Sequence, residues 1–275
     1  MNAPEVANQG PLRLERRADG LLEAVLCAPP LNEIGTELLM ALEDLAETLR
    51  RDDGVRGLLL CSTLAGGFSA GADLRALSAA IEARGHEAVA GEVRAFLERV
   101  RDCFCALEAS PKPVVGAVHG VVFGGGFELA LCCDLIVAER SARFAFPELR
   151  LGLVPGFGGT VRLRRAAGGA LLRELLLSGS SLSAERARAV GLVNQVVGEG
   201  RARAVARRAL EQLLRLDPHA LAAAKRLSKP ACRAELDEEL ELFCSLFARP
   251  EVARALAEFA RRKDPLPYLP RPRGP

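Results

Sequence analysis

The sequence predicts an α/β fold, with parallel-paired strands and helices in its first two-thirds and a region of helices behind them. Three observations predict it. Short unbroken apolar runs such as VRGLLLCS (55–62) and DLIVAE (134–139) have the length and composition of strands buried on both faces. Between such runs, apolar residues recur at helical spacing. At 275 residues, about half of them apolar, the chain is long enough to close a large buried core.

Taken in order, PLRLERRADGLLEAVLCAPP (11–30) reads as a hairpin: two short strands around an Ala-Asp-Gly turn, the second stopped by Pro29 and Pro30. From Thr36, the residues Leu38, Leu39, Leu42, Leu45 and Leu49 form one helical stripe, which ends at a DDG turn before the strand at 55–62. A strand, helix, strand unit of this kind predicts a parallel pair. GGFSAGADLRAL (66–77) is a small-residue loop running into a helix, and a longer helix covers about 87–107. The strand in KPVVGAVHG (112–120) leads to three consecutive glycines, and DLIVAE and ARFAFPE (142–148) supply the next strands.

From Val161 the pattern is almost exclusively helical: VRLRRAAG (161–168), ALLRELLLSG (170–179), SAERARAVG (183–191) with Ser183 as N-cap and Gly191 as the stop, then three or four more helices behind NQVV (194–197). The expected division is a core over 1–198 and a helical C-terminal region over 199–275, which packs on the core or on another subunit. The proline-rich end at 264–275 reads as an extended tail.

Charge and cysteine usage exclude several classes of function. The 37 basic and 35 acidic residues are scattered along the chain, so no nucleic-acid partner is expected. Nearly all the basic residues are arginine, and runs such as RLRR (162–165) read as solvated helix faces. The eight cysteines lack CxxC spacing and read as reduced core residues. No apolar signal core opens the chain and no apolar segment reaches the roughly 18–20 residues that span a bilayer, so a cytoplasmic protein with no membrane partner is expected.

The chemistry concentrates in VVFGGGFELALCCDL (121–135). It is not a phosphate loop, because no GK[ST] follows, and neither this loop nor GFGGT (156–160) completes GxGxxG. GxSxG and HExxH are also absent. Of the three histidines, His119 stands at a strand end, where a hydrogen-bonded packing role is the expectation. Glycine at a helix start leaves backbone N–H groups uncovered at the positive end of the helix dipole, a setting for an oxygen that gains negative charge. FSAGAD (68–73) can bring a second donor, with Ala72 preceding an acid and a helix, and losing one of two such donors costs on the order of 3 kcal/mol in the barrier. Glu128 lies on the first turn of the glycine-started helix; helix-dipole stabilisation alone would give it a role worth at most about 1 kcal/mol. Glu148 follows Pro147 at a strand end. Two glutamates flanking a glycine-built anion site can serve as the acid and base that move a proton beside a carbonyl.

FSAGADL (68–74), KPVVGAVHGVVFGGGFELALCCDLIVA (112–138), FAFPELRLGLVPGFGGTVRL (144–163) and LSAERARAVGLVNQVV (182–197) together resemble the enoyl-CoA hydratase, or crotonase, superfamily, in its order and spacing and over nearly the whole chain. The resemblance implies a crotonase-like spiral of repeated ββα units whose helical C-terminal region mediates homotrimers, often paired into hexamers. It implies an acyl-CoA substrate whose thioester oxygen is held by the N–H groups of Ala72 and Gly125, with Ala70, Asp73, Leu74 and Gly124 as further substrate contacts. By the family's pattern Glu128 positions and deprotonates water, Glu148 donates the proton, and no metal or organic cofactor takes part. Isomerases of the family often retain only the second carboxylate, so the presence of both points to hydration of a 2-enoyl-CoA or the reverse dehydration.

One departure is CAPPLNEIGTELL (27–39), which lacks the basic residue the family places near the CoA nucleotide. Arg75, Phe259 and Lys263 are the candidates to replace it, each equally suited to surface or packing roles. The acyl pocket is expected to be formed in part by residues 74–91. The unusual PPLNEIG keeps open an isomerase, dehydratase or decarboxylase acting on a branched, cyclic or carrier-bound thioester. A non-catalytic acyl-CoA-binding or partner-binding protein is the third reading, since fold alone does not prove function.

Overall fold

The computed structural model describes residues 5–229 and 232–262. Strands β1 (Glu5–Gln9), β2 (Leu12–Arg16) and β3 (Leu21–Leu26) are antiparallel neighbours. The β2–β3 hairpin is the one the Ala-Asp-Gly turn predicts; β1 is an added edge strand whose polar EVANQ carries no strand pattern. Helix α1 (Thr36–Arg51) buries all five leucines of its stripe and hands the chain to β4 (Gly57–Ser62), parallel to β3.

There follow β5 (Gly67–Ser69), α2 (Leu74–Arg84), α3 (His86–Ala109), β6 (Val114–Val118), β7 (Val121–Phe123), α4 (Gly125–Leu131), β8 (Leu135–Glu139) and β9 (Arg143–Ala145). A 3₁₀ turn (Glu148–Leu151) leads to α5 (Gly159–Ser178), β10 (Leu182–Ser183), α6 (Ala184–Ala189) and β11 (Gln195–Val197). Helices α7 (Ala202–Leu213), α8 (Pro218–Ser228), α9 (Arg233–Phe247) and α10 (Pro250–Arg261) complete the described chain.

The strands form a seven-stranded sheet in the order β1-β2-β3-β4-β6-β8-β11, parallel from β3 onward, and a four-stranded sheet in the order β10-β9-β7-β5. Each pass of the chain lays one strand in the large sheet, one in the small sheet and then a helical segment: β4, β5, α2; β6, β7, α4; β8, β9, the 3₁₀ turn. Repetition of this step winds the chain into the expected spiral. Within the small sheet β5, β7 and β9 are parallel neighbours, so the segments that leave them emerge at one edge.

Three expectations need correction. The chain after Val161 is not helical throughout: β10 pairs with β9, and β11 extends the large sheet beside β8. Two and three residues are too short to show a period, and only pairing with a distant strand makes them extended. ARFAFPE is strand only at Arg143–Ala145; Pro147 has no N–H for a ladder, and Glu148 opens the 3₁₀ turn instead of closing a strand. RLRR is not a solvated face, since Arg162 is fully buried and Arg165 is half-buried. The two helices predicted at 161–168 and 170–179 are the two halves of α5, separated where Gly168 turns to φ 84°.

Helices α7, α9 and α10 pack on the rest of their own chain. Ala202, Ala206 and Leu210 of α7 cover the outer face of the large sheet against Leu21, Val25, Leu59 and Val115. α9 packs on α3 and α5, and α10, whose buried residues are Val252, Leu256 and Phe259, packs on α2. The predicted tail at 264–275 is outside the described residues. All eight cysteines are free thiols; Cys61, Cys132 and Cys133 are buried, which pushes their pKa up to about 12 and keeps them protonated, while Cys27, Cys105, Cys232 and Cys244 are only half-buried.

Candidate active site

The site is built where β5, β7 and β9 end side by side. From β5 runs Ala70–Gly71–Ala72–Asp73, held in place by Asn32. Asn32 is completely buried and left-handed (φ 49°), a conformation that asparagine tolerates. Its Oδ1 accepts from Ala28 N at 2.8 Å, and its Nδ2 donates to Ser62 Oγ and Phe68 O, each at 2.8 Å. Its carbonyl accepts from Ser69 Oγ. PPLNEIG therefore carries the asparagine that pins the FSAGAD loop. Asn32→Ala would leave several buried partners unsatisfied, and a loss of about 3 kcal/mol in unfolding free energy is expected, read as a lower urea midpoint. Asp73 closes the loop by capping α2, its Oδ1 accepting from Ala76 N at 2.8 Å.

The ladder bonds Ile34 N to Gly71 O and Asp73 N to Ile34 O straddle Ala72 and leave its own N–H outside the pairing. From β7 the chain turns through Gly124 (φ 49°, ψ −127°) into α4, whose first residue Gly125 has no intrahelical acceptor for its N–H. The two donors belong to adjoining loops. A Cβ added to Gly125 would lie 3.5 Å from Ala72 N and 2.5 Å from the Phe157 ring, and one added to Gly124 would lie 2.7 Å from Glu148 Oε1. Glycine here keeps open the space in front of the donors and under the carboxylate.

Glu128, one turn into α4, is buried, and its Oε1 accepts from Phe157 N and Gly159 N, both at 2.8 Å. Burial first, then the charges of Glu239 and Glu148, hold its carboxyl well above the ordinary range against the pull of these two bonds. Glu148 follows β9 on the 3₁₀ turn. The residue is half-buried, but its carboxylate points inward: Oε2 is sealed from solvent and has no hydrogen-bond partner among the described residues. Burial pushes this carboxyl up to about 8, with the charge of Glu239 adding to the effect. A carboxyl of that kind is a neutral acid near pH 7.

The sequence reasoning missed the layer behind these glutamates. The GFGGT segment is held from its other side by Glu239 of α9, whose Oε1 accepts from Gly158 N at 2.6 Å and whose Oε2 accepts from Thr160 N at 3.0 Å and from Thr160 Oγ1. Arg162 donates to Phe157 O at 2.8 Å and pairs with Glu108 at 3.0 Å. A local signal for Glu239 existed, since it interrupts the apolar stripe of Leu236, Leu240, Phe243 and Phe247.

All eight residues singled out from the sequence, Ala70, Ala72, Asp73, Leu74, Gly124, Gly125, Glu128 and Glu148, line one cavity of about 480 Å³. Away from the glutamates it is walled by Leu77, Val89, Val93, Phe96 and Phe243, so residues 74–91 do form part of the wall. Arg75 is turned to α10, donating to Ala260 O at 2.9 Å and lying over the Phe259 ring at 5.5 Å. Lys263 is outside the described residues. His119 lies away from the cavity with Nε2 2.8 Å from Leu64 O, in the packing role expected of it.

A ββα spiral with a cavity at the carboxyl ends of its smaller sheet is the crotonase fold. The solved enoyl-CoA hydratase from Bacillus halodurans superposes with a TM-score of 0.81 at 25% identity, covering 90% of this chain and 100% of that one. Pseudomonas aeruginosa DspI superposes with a TM-score of 0.74 at 32% identity, covering 92% and 95%. In sequence, the probable mitochondrial enoyl-CoA hydratase 2 of Arabidopsis thaliana is 32% identical over 259 residues, 92% of this chain and 83% of that one. The 2,3-dehydroadipyl-CoA hydratase of Escherichia coli K12 is 34% identical over 239 residues, 85% and 89%. Residues 16–266 match the enoyl-CoA hydratase/isomerase family, and the chain belongs to it.

Proposed function

We propose that the protein adds water across the 2,3 double bond of a 2-enoyl-CoA to give the 3-hydroxyacyl-CoA, and catalyses the reverse dehydration. The observation that carries this reading is the contrast between the two carboxylates in one cavity. Glu128 is anchored through Oε1 by two N–H donors that favour its ionised form, whereas Glu148 has an oxygen sealed from solvent with no partner among the described residues. In the proposed step Glu128 takes a proton from water as its oxygen bonds to C3. The electron pair of the double bond moves onto the thioester oxygen, stabilised by the N–H groups of Ala72 and Gly125. C2 then takes the proton of Glu148 as the carbonyl re-forms. The hydroxyl reaches C3 and the proton reaches C2 from one side of the substrate, so the addition is syn; Glu128 is left protonated and Glu148 ionised, and exchange of a proton with solvent at each resets the pair. Coenzyme A enters as part of the substrate, and neither a metal nor an organic cofactor has a part in the scheme.

The apolar stretch of the wall suits an uncharged acyl segment, while Arg84, Glu92 and Arg99 also line the cavity. The test is the absorbance of the conjugated thioester of crotonyl-CoA, and of a longer 2-enoyl-CoA, mixed with the protein. Decay of the band with formation of the 3-hydroxyacyl-CoA is expected. Binding of both thioesters with no decay would overturn the assignment.

A further inference from the structure

The C-terminal helix α9 reaches into the catalytic layer through one buried side chain. Along residues 157–160 successive N–H groups go to opposite carboxylates: Phe157 and Gly159 donate to Glu128, Gly158 and Thr160 to Glu239. The segment has little freedom left. Arg162 holds the carbonyl of Phe157, and the Phe157 ring packs edge-on against Phe104 with centroids 5.9 Å apart. We infer that Glu239 is a positioning residue for the reaction: by clamping Gly158 and Thr160 it aims the Phe157 and Gly159 N–H groups that hold Glu128. This rests on the reading of Glu128 as the base on the water side.

Two features separate this role from a helix-packing contact. Among the described residues the Glu239 side chain bonds only to this one segment at the start of α5, although the residue sits on the stripe that packs α9 on α3 and α5. Its charge also weighs more on Glu128 than that of Glu148 does. The charged groups around it are Glu128 on α4, Glu148 on the 3₁₀ turn, Arg162 and Arg165 on α5 and Glu108 on α3; burial holds the Glu239 carboxyl above the ordinary range, against the bonds from Thr160 and Gly158 and the charge of Arg162.

Glu239→Gln, an isostere that removes the charge and faces N–H donors with an amide, is expected to lower kcat by about 10- to 100-fold with little change in KM. The acid limb of the kcat/KM profile should move to lower pH as well, because Glu128 loses a like-charged neighbour. Glu239→Asp, which keeps the charge on a shorter arm, should restore the position of that limb without restoring full kcat. Thr160→Val removes one donor without touching the buried acid, and covers the case in which the Gln variant does not fold; it should lower kcat in the same direction by less. A folded Glu239→Gln or Thr160→Val protein with unchanged kcat and pH profile would overturn the role. If the wild type itself turns over no enoyl-CoA, the hydratase reading falls, and the clamp is then read by carboxyl ¹³C NMR: a Glu128 titration that moves down in Glu239→Gln supports it, and an unmoved one overturns it.

Discussion

Glu148→Gln is expected to lower kcat by about 10²–10⁴-fold, the usual worth of a positioned general acid. The amide has nearly the shape of the acid but no proton to give to C2. Glu148 is no part of the backbone donor pair, so the affinity for a saturated thioester such as butyryl-CoA should be retained. A loss of this kind, in kcat and not in binding, marks an interaction made only in the transition state. A Gln variant that turned over enoyl-CoA at the wild-type rate would remove Glu148 from the mechanism.

The same residue determines the alkaline side of the pH profile. Hydration requires a single proton on the pair, so kcat/KM should fall on the alkaline side as pH rises through about 8, where Glu148 gives up its proton, and on the acid side as Glu128 takes one up, a limb that its burial and the charges of Glu239 and Glu148 place above the ordinary carboxylate range. Dehydration needs the opposite placement of the same single proton, and both directions therefore share one bell. In Glu148→Gln the alkaline limb should vanish from the residual activity. Stability gives an independent reading. The folded chain holds on Glu148 a proton that the unfolded chain releases near 4.5, so the group's contribution is fully present below 4.5 and is lost as pH rises through about 8. Glutamine never ionises. Glu148→Gln should therefore melt higher than the wild type at pH 8, and the difference should shrink as pH falls toward 4.5.

What could be read from the sequence follows from what local patterns report. A helical stripe or a turn triplet is a property of one element, and so α1, the β2–β3 hairpin and the glycine start of α4 were legible. Glu128 and Glu148 were legible because each sits beside a backbone signal, a glycine run in one case and a proline in the other. β11 was not, because its three residues are extended only through pairing with β8. Arg162 reads as one more arginine in RLRR until Glu108 and the Phe157 carbonyl are seen to enclose it. The break that Glu239 makes in its apolar stripe marks it as unusual, but its partners are N–H groups about eighty residues earlier in the chain, which no local pattern names.

Gly125→Ala is expected to lower kcat/KM by about 10²–10³-fold, close to the full worth of one oxyanion donor. The argument is steric. The new Cβ would lie 2.5 Å from the Phe157 ring and 3.5 Å from Ala72 N, between the two donors, where the thioester oxygen is proposed to sit. The ring has no easy retreat, since Phe104 meets its edge and the Phe157 N–H is bonded to Glu128. The change should thus disturb the oxyanion site and the base together, in contrast to Glu148→Gln, which leaves the donors intact. Vibrational difference spectra of bound enoyl-CoA separate the two: the thioester carbonyl stretch should shift down in the wild type and in Glu148→Gln, and return toward its solution value in Gly125→Ala. If the shift and the turnover both survived in Gly125→Ala, the thioester would have to be polarised somewhere other than between Ala72 and Gly125, and the placement of substrate over Glu128 and Glu148 would fall with it.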